Sequence, residues 1–201
     1  MKRLILSALL SLSLPLAGAA EAATYAIDGN HTQVVFTYSH LGYSHLSGRL
    51  NQPTGSFEFD PAKPGNASID VQLPMASLST GVPRLDTHLS SEDFFDVAKF
   101  PTASFKSSKV TVLGKDKLKV AGDLTIHGVT KPVVFDVSIN STAPHPMSKS
   151  PAAGFDASVT IKRSDFGVDR LVPAVADEVR LNISMEASEP KKDQPEAKKA
   201  G

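Results

Sequence analysis

The chain has 201 residues, which is enough for one domain with a substantial core. Its 21 basic and 21 acidic side chains are mixed along the sequence, so the broad positive surface that a nucleic-acid partner requires is excluded. Because there is no cysteine, disulfides, thiolate chemistry and cysteine-based metal sites are excluded as well.

The N-terminal residues have the pattern of a secretory signal peptide. Two basic residues precede an apolar segment at 4–16 that is too short to span a bilayer comfortably. Small residues with two A-x-A cleavage patterns follow this segment. We therefore predict a signal peptide at 1–22, and a folded domain at 24–187.

Most of this domain has a period-two pattern of apolar and polar residues. The alternating rows span 34–38, 57–59, 67–75, 118–126, 133–139, 155–161 and 179–185. This pattern predicts about eight strands, each with one apolar and one solvated face, as in antiparallel sheets. Because no regular helices intervene, a barrel or a sandwich is favoured over a parallel βαβ fold.

The aromatic composition favours a soluble barrel with its apolar rows inside. A membrane barrel needs aromatic girdles, and this chain has no Trp and only three Tyr. A barrel of this size is either filled by its own side chains or holds one ligand. The ten phenylalanines supply large apolar surface for either outcome, and both remain open at this point.

One segment interrupts the series of strands. Within 77–101, Pro83, a pair of leucines at helical spacing, and Ser90 three residues before Asp93 predict short helices with capped starts. We expect a short helical insertion around residues 77–101, laid over one end or side of the barrel.

The C-terminal residues have a different composition. Residues 188–201 are rich in Lys, Glu and Pro and contain no large apolar side chain. Such a segment cannot bury enough surface to offset its ordering entropy, so we predict a disordered charged tail.

The residue clusters that could carry catalysis give weak signals. Ser90 and Ser91 lie near His88, but G-x-S-x-G is absent and serine also suits helix capping. Asp86 and Asp93 are close in sequence, as a glycosidase pair could be, yet the chain lacks the Trp residues that usually stack on sugars. We therefore predict no catalytic residue and no enzyme.

The six histidines show neither H-E-x-x-H nor H-x-H spacing. A long-range group of His31, His40 and His88 would make a metal-dependent enzyme with His and carboxylate ligands, which we keep as an alternative function. Histidines held by hydrogen bonds are favoured over it, so no metal is predicted.

Four segments in order carry a family resemblance. They are "YAIDGNHTQVVFTYSHLG" at 25–42, "RLDTHLSSEDFFDVAKFPTASF" at 84–105, "GDLTIHGVTKPVVF" at 122–135 and "IKRSDFGV" at 161–168. These segments resemble motifs of the YceI-like family of polyisoprenoid-binding proteins. The resemblance extends over nearly the whole predicted domain.

The resemblance implies a lipocalin-like, eight-stranded antiparallel β-barrel with a long internal apolar tunnel. It implies a binding or carrier protein for an isoprenoid or a similar lipid, such as a quinone, a polyprenyl phosphate or a fatty amide. That lipid would be the ligand, with no other cofactor and no stable membrane span. A periplasmic location is implied, and a homodimer is compatible with the family. The alternatives are the metal-dependent enzyme and a filled-core stress-response adaptor.

The expected tunnel lining combines apolar residues of the strands and of the insertion. These residues are Phe36, Tyr38, Phe57, Phe59, Leu85, Leu89, Phe94, Phe95, Phe105, Leu124, Phe135 and Phe155. Phe94 and Phe95 carry the main functional expectation, as a wall or a lid for a lipid chain.

The polar motif residues have two open interpretations. His40, Arg84, Asp86 and His88 either meet a polar head group at the tunnel mouth or clasp the insertion to the barrel, and the clasp is favoured. Three other groups of motif residues are predicted to be structural. Asp28 and His31 would fix the start of the first strands, Arg163 and Asp165 would bind turns, and 128–132 would connect two strands.

Overall fold

The computed structural model describes residues 22–190. The predicted signal peptide and the part of the tail beyond residue 190 lie outside the described residues, so both stay predictions. The described chain forms ten strands, one α-helix and three single-turn 3-10 helices at Pro64–Asn66, Met75–Ser77 and Arg163–Phe166. The larger elements are β1 (Ala23–Ile27), β2 (Gln33–His40), β3 (Ser44–Leu50), β4 (Thr54–Phe59), β5 (Ser68–Pro74), α1 (Pro83–Ser90), β6 (Thr102–Gly114), β7 (Lys117–Ile126), β8 (Val129–Ser141), β9 (Ala152–Lys162) and β10 (Glu178–Ser188).

The ten strands occupy eight positions of a closed antiparallel barrel. One edge of β10 pairs with β1 at residues 187–188 and with β2 at residues 180–184, so β1 and β2 are two halves of one interrupted strand. On the next position, β3 pairs with β2 and β4 pairs with β1. The other six strands follow as neighbours from β5 to β10. The predicted all-β, eight-stranded antiparallel barrel with a short helical insertion is thus confirmed.

The interruption between β1 and β2 is stabilised by local polar contacts. The Asp28 carboxylate accepts a hydrogen bond from the backbone N–H of Asn30 at 2.9 Å. Its second oxygen lies 2.7 Å from Nδ1 of His31. Asp28 and His31 therefore occupy the joint of the first strands, as predicted.

The connection between β7 and β8 is shorter than predicted. His127 and Gly128 alone form the turn, with φ angles of 52° and 74°. Two successive positive φ values suit a two-residue hairpin turn, and glycine adopts them without steric cost. The prediction that 128–132 connects two strands was therefore wrong in its bounds, because β8 begins at Val129.

The insertion contains one helix, and its capping differs from the prediction. Pro83 occupies the first turn of α1, as predicted, but Ser90 is the last helical residue and caps no helix start. After it, the Ser91 hydroxyl donates to the carbonyl of His88, and the backbone N–H of Asp96 donates to the carbonyl of Ser91. These local bonds compete with helix formation and turn the chain back toward β6.

Candidate functional site

The inward-facing residues of the barrel line two adjoining cavities. The lower chamber lies under β1 and β4 and has an empty volume of about 1020 Å³, and the upper chamber lies under the insertion and has about 1290 Å³, both including the space at their openings. The two chambers meet at four shared apolar residues, Val34, Leu73, Leu124 and Leu181. Over the described residues the barrel interior is therefore not filled by its own side chains.

The lower chamber has an aromatic wall at its far end. Phe155 contacts Phe57 and Phe59 edge to face, with ring centroids 5.4 and 5.3 Å apart, and Tyr25 stacks on Phe57 at 5.1 Å. Such pairs contribute packing energy beyond their buried area. The only polar side chain in the lining is Thr32, whose hydroxyl already bonds the backbone N–H and carbonyl of Glu186. This chamber offers apolar surface alone.

The upper chamber takes one wall from the insertion. Leu85 and Leu89 lie four residues apart on one face of α1 and point into the cavity. Phe94 and Phe95 both line it as well, although they are adjacent in sequence. Two adjacent residues of a helix would point in different directions and could not both face one cavity. They do so here because 91–98 forms turns instead of helix.

A second wall comes from the loop at 167–177, which is held by Arg163. The guanidinium of Arg163 donates four hydrogen bonds to backbone carbonyls of this loop, at Val168, Arg170, Val175 and Ala176, over 2.7 to 3.0 Å. The loop is thus fixed by its backbone, while Val168, Leu171 and Val175 face the cavity. The prediction that Arg163 binds a turn is confirmed.

Asp177, the last residue of this loop, binds Ser164 of the preceding 3-10 helix, and sequence reasoning missed this residue. Its carboxylate accepts bonds from the backbone N–H and the hydroxyl of Ser164, at 2.9 and 2.8 Å. Burial acts to raise the pKa of Asp177, but these bonds and the nearby Arg163 charge outweigh it and lower the pKa. Asp165, the predicted partner, is exposed on the same turn.

The polar side chains of the upper chamber are Tyr38, His40, His88 and Arg163. Burial lowers the pKa of Arg163, opposed by the charges of Asp177 and Asp169. Burial also raises the pKa of Tyr38, and the nearby Arg163 charge partly offsets this effect. The upper chamber is therefore an apolar space with a cation and a phenol hydroxyl in its wall.

The four predicted mouth residues separate into two pairs. His40 and His88 line the upper chamber, and the His88 ring meets Phe94 edge to face at 4.9 Å. Arg84 is exposed on α1, and Asp86 bonds both the backbone N–H and the hydroxyl of Thr80 at 2.6 Å. Arg84 and Asp86 are not among the residues that line the cavity, and the Asp86 bonds join two residues of the insertion rather than the insertion to the barrel.

The ion pair that joins the insertion to the loop at 167–177 is a different one. Arg170 Nε lies 3.5 Å from Asp93 Oδ1, with both side chains about half exposed. Exposed pairs of this kind contribute little to stability. This contact nonetheless connects the two segments that carry Phe94 and Leu171 over the upper chamber.

All twelve predicted lining residues face one of the two chambers. The lower chamber has Phe57, Phe59, Phe105, Phe135 and Phe155; the upper has Phe36, Tyr38, Leu85, Leu89, Phe94 and Phe95; Leu124 lines both. Their contact with a ligand stays a prediction. Sequence reasoning missed Phe166 of the 3-10 helix and the loop residues Val168, Leu171 and Val175, since these segments have no strand periodicity to mark their inward positions.

The other chemical clusters considered from the sequence are not assembled. Within residues 22–190, no three His, Asp or Glu side chains come close enough to share a metal ion, so the group of His31, His40 and His88 is not formed. The Ser91 hydroxyl bonds the backbone of His88, not its ring. No helix in this range has the length and apolar character needed to cross a membrane.

Comparison with known proteins gives a consistent picture. Residues 25–187 match the family of YceI-like domains. The chain is 41% identical to a UPF0312 protein of Pseudomonas savastanoi pv. phaseolicola over 193 residues, which cover 95% of this chain and all of the relative.

Two solved structures share the fold. BcnA of Burkholderia cenocepacia has a TM-score of 0.73 and 26% identity, and the match covers 81% of this chain and 99% of BcnA. A polyisoprenoid binding domain from Saccharophagus degradans, described as implicated in plant cell wall breakdown, has a TM-score of 0.65 and 14% identity, covering 85% of this chain and all of that domain.

Proposed function

The chain belongs to the family of YceI-like domains, and from this premise we propose that it is a periplasmic carrier that holds a long-chain isoprenoid or a similar lipid in its two chambers. The single observation that carries the proposal is the pair of adjoining apolar cavities, which share Val34, Leu73, Leu124 and Leu181. A lipid chain is the ligand class that fits an almost wholly apolar space inside a barrel.

The energetics support such a ligand. Burial contributes about 0.8 kcal/mol per CH₂, so one isoprene unit of five carbons contributes roughly 3 to 4 kcal/mol before ordering costs. A few buried units therefore suffice for useful affinity without many hydrogen bonds. Quinones, polyprenyl phosphates and fatty amides all have a chain of this kind.

The relatives point in the same direction. One structural neighbour is described as a polyisoprenoid binding domain, and this description, together with membership of the YceI-like family, supports a binding role for this chain. The periplasmic part of the proposal rests on the signal-peptide pattern at 1–22, with its basic start and small-residue cleavage sites.

Native mass spectrometry with lipid extraction tests the proposal. Protein purified under mild conditions should carry a long-chain lipid, or accept one from vesicles that contain isoprenoid quinone. A Leu124→Trp variant should lose most of this loading, because the larger ring fills space at the residues that the two chambers share. Val134→Trp, on the exposed face of β8, is the matched control and should load normally.

Two results would contradict the proposal. One is a wild-type protein that never carries a lipid and cannot be loaded. The other is a folded Leu124→Trp variant that takes up as much lipid as the wild type. Circular dichroism of each variant establishes that the barrel is intact before loading is compared.

A further inference from the structure

The two chambers differ in polarity, and this difference gives the binding site a direction. The lower chamber has a single polar side chain, Thr32, and its hydroxyl is already hydrogen bonded at 3.1 and 3.3 Å. The upper chamber contains Tyr38, His40, His88 and Arg163. An amphiphilic lipid loses least solvation energy when its tail lies in the first and its head in the second.

Tyr38 and Arg163 have bonding capacity that is directed at no partner within residues 22–190. The Arg163 guanidinium uses four of its five N–H groups on loop carbonyls and has no ion-pair partner within residues 22–190. The hydroxyl of Tyr38 forms no hydrogen bond with residues 22–190, while its ring stacks on Phe36 at 6.4 Å. A cation and a free O–H donor therefore lie in one apolar wall.

Hydrogen-bond donors in an apolar wall favour a ligand that carries a hydrogen-bond acceptor. A hydrocarbon would offer no acceptor to the Tyr38 hydroxyl or to the remaining N–H of Arg163, whereas an oxygen acceptor would satisfy the phenol and meet the positive field of the guanidinium. Tyr38 and Arg163 both line the upper chamber, so the two groups face the same enclosed space.

We propose that Tyr38 and Arg163 form a head-group subsite for a lipid whose head carries hydrogen-bond-accepting oxygen, bound with its tail in the lower chamber. This inference rests on the proposed lipid-binding function and adds the class of head group and the orientation. The shared chemistry is an acceptor oxygen, supplied either by the carbonyls of a quinone or by a phosphate.

Three probes with the same geranylgeranyl chain separate these sources: a menaquinone, a geranylgeranyl phosphate and the hydrocarbon without a head group. Tyr38→Phe removes one hydroxyl and keeps the ring. We expect it to weaken binding of at least one oxygen-bearing probe about tenfold, and to leave the hydrocarbon within twofold. The matched control is Tyr25→Phe, which removes one hydroxyl from a mostly buried residue whose ring stacks on Phe57 but which is not among the residues that line either chamber. It should change no affinity more than twofold.

Orientation has an independent readout because the protein contains no Trp. Phe95→Trp places a fluorophore in the upper chamber and Met185→Trp places one in the lower chamber. The quinone ring should strongly quench the Trp fluorescence of the Phe95→Trp variant and only weakly quench that of the Met185→Trp variant. A probe brominated at the end of its tail should show the reverse order.

The outcomes are distinct. Loss confined to the quinone or to the phosphate supports the subsite and names the source of the oxygen, and loss of both supports the shared chemistry. Equal weakening of all three probes by Tyr38→Phe, no weakening of any, or equal quenching at both Trp positions overturns the subsite while lipid binding stands. A wild-type protein that binds none of the probes overturns the proposed function itself.

Discussion

The lower and upper chambers are built by different means. All but three residues that line the lower chamber belong to strands, whereas eleven of the 24 that line the upper chamber belong to the insertion, the 3-10 helix at Arg163–Phe166 or the loop at 167–177. Strand walls have their backbone groups paired in the ladder and offer only side chains to the interior.

Loop walls must satisfy their backbone in other ways. Around the upper chamber this requirement brings in Arg163, which donates to four carbonyls, and Asp177, which accepts from Ser164. Polar and charged groups therefore enter the upper chamber with its loops. We therefore expect the strand-built chamber to contribute most of the stability. Under the proposed function, we expect the loop-built chamber to determine which ligand binds.

The largest expected difference comes from removing an aromatic ring in each chamber. Phe155→Ala should destabilise the protein by about 3–5 kcal/mol, since Phe155 is buried against Phe57 and Phe59. Phe95→Ala should cost only about 1–2 kcal/mol, because its half-buried ring lies on a turn. Urea denaturation measures both. Equal losses in the two variants would break the proposed division between stability and selection.

A smaller effect is expected on the side of the upper chamber that strands do build. Phe36 lies flat over Gly48, where an added Cβ would fall 2.2 Å from the ring. Gly48→Ala should therefore cost about 1–3 kcal/mol and displace the ring from the chamber wall. The control is Gly114→Ala, at a position with open space around it.

Combining Gly48→Ala with Phe36→Leu sharpens this test. The smaller side chain removes the collision, so the double variant should be more stable than the sum of the two single losses predicts. Additive losses, measured by the same denaturation, would show that the contact between Phe36 and Gly48 is not what limits this wall.

The smallest effect concerns the exposed joint between β1 and β2, beside the lower chamber. The hydrogen bond from His31 lowers the pKa of Asp28 below 3.8, and the Asp28 carboxylate raises the pKa of His31 above 6.5. The histidine contribution is complete below pH 6.5 and is lost as the pH rises through its raised pKa. The aspartate contribution is complete above pH 3.8 and is lost as the pH falls through its lowered pKa.

Wild-type protein should therefore exceed His31→Gln in stability most clearly near pH 5, and the difference should shrink toward pH 8. Thermal unfolding over this range measures the effect, and His45→Gln, an exposed histidine on β3, is the control. A difference that grows toward pH 8 would contradict the pairing.

The amino-acid sequence alone located seven of the ten strands in residues 22–190, all but β1, β3 and β6, and most of the apolar lining. Residues such as Phe57 and Leu124 alternate with polar neighbours, and a period of two assigns each side chain to one face of a sheet. Pro83 likewise marked the start of α1, because its ring suits the first helical turn.

Only the tertiary structure decided how the polar residues are used. Asp86 and Arg163 both stand in recognisable motifs, yet one is satisfied by Thr80 within the insertion and the other holds the loop at 167–177 beside Tyr38. A hydrogen bond depends on the distance between groups that are far apart in sequence, and the closure of the barrel sets that distance. Periodicity contains no information about it, so the direction of the binding site emerged from the fold.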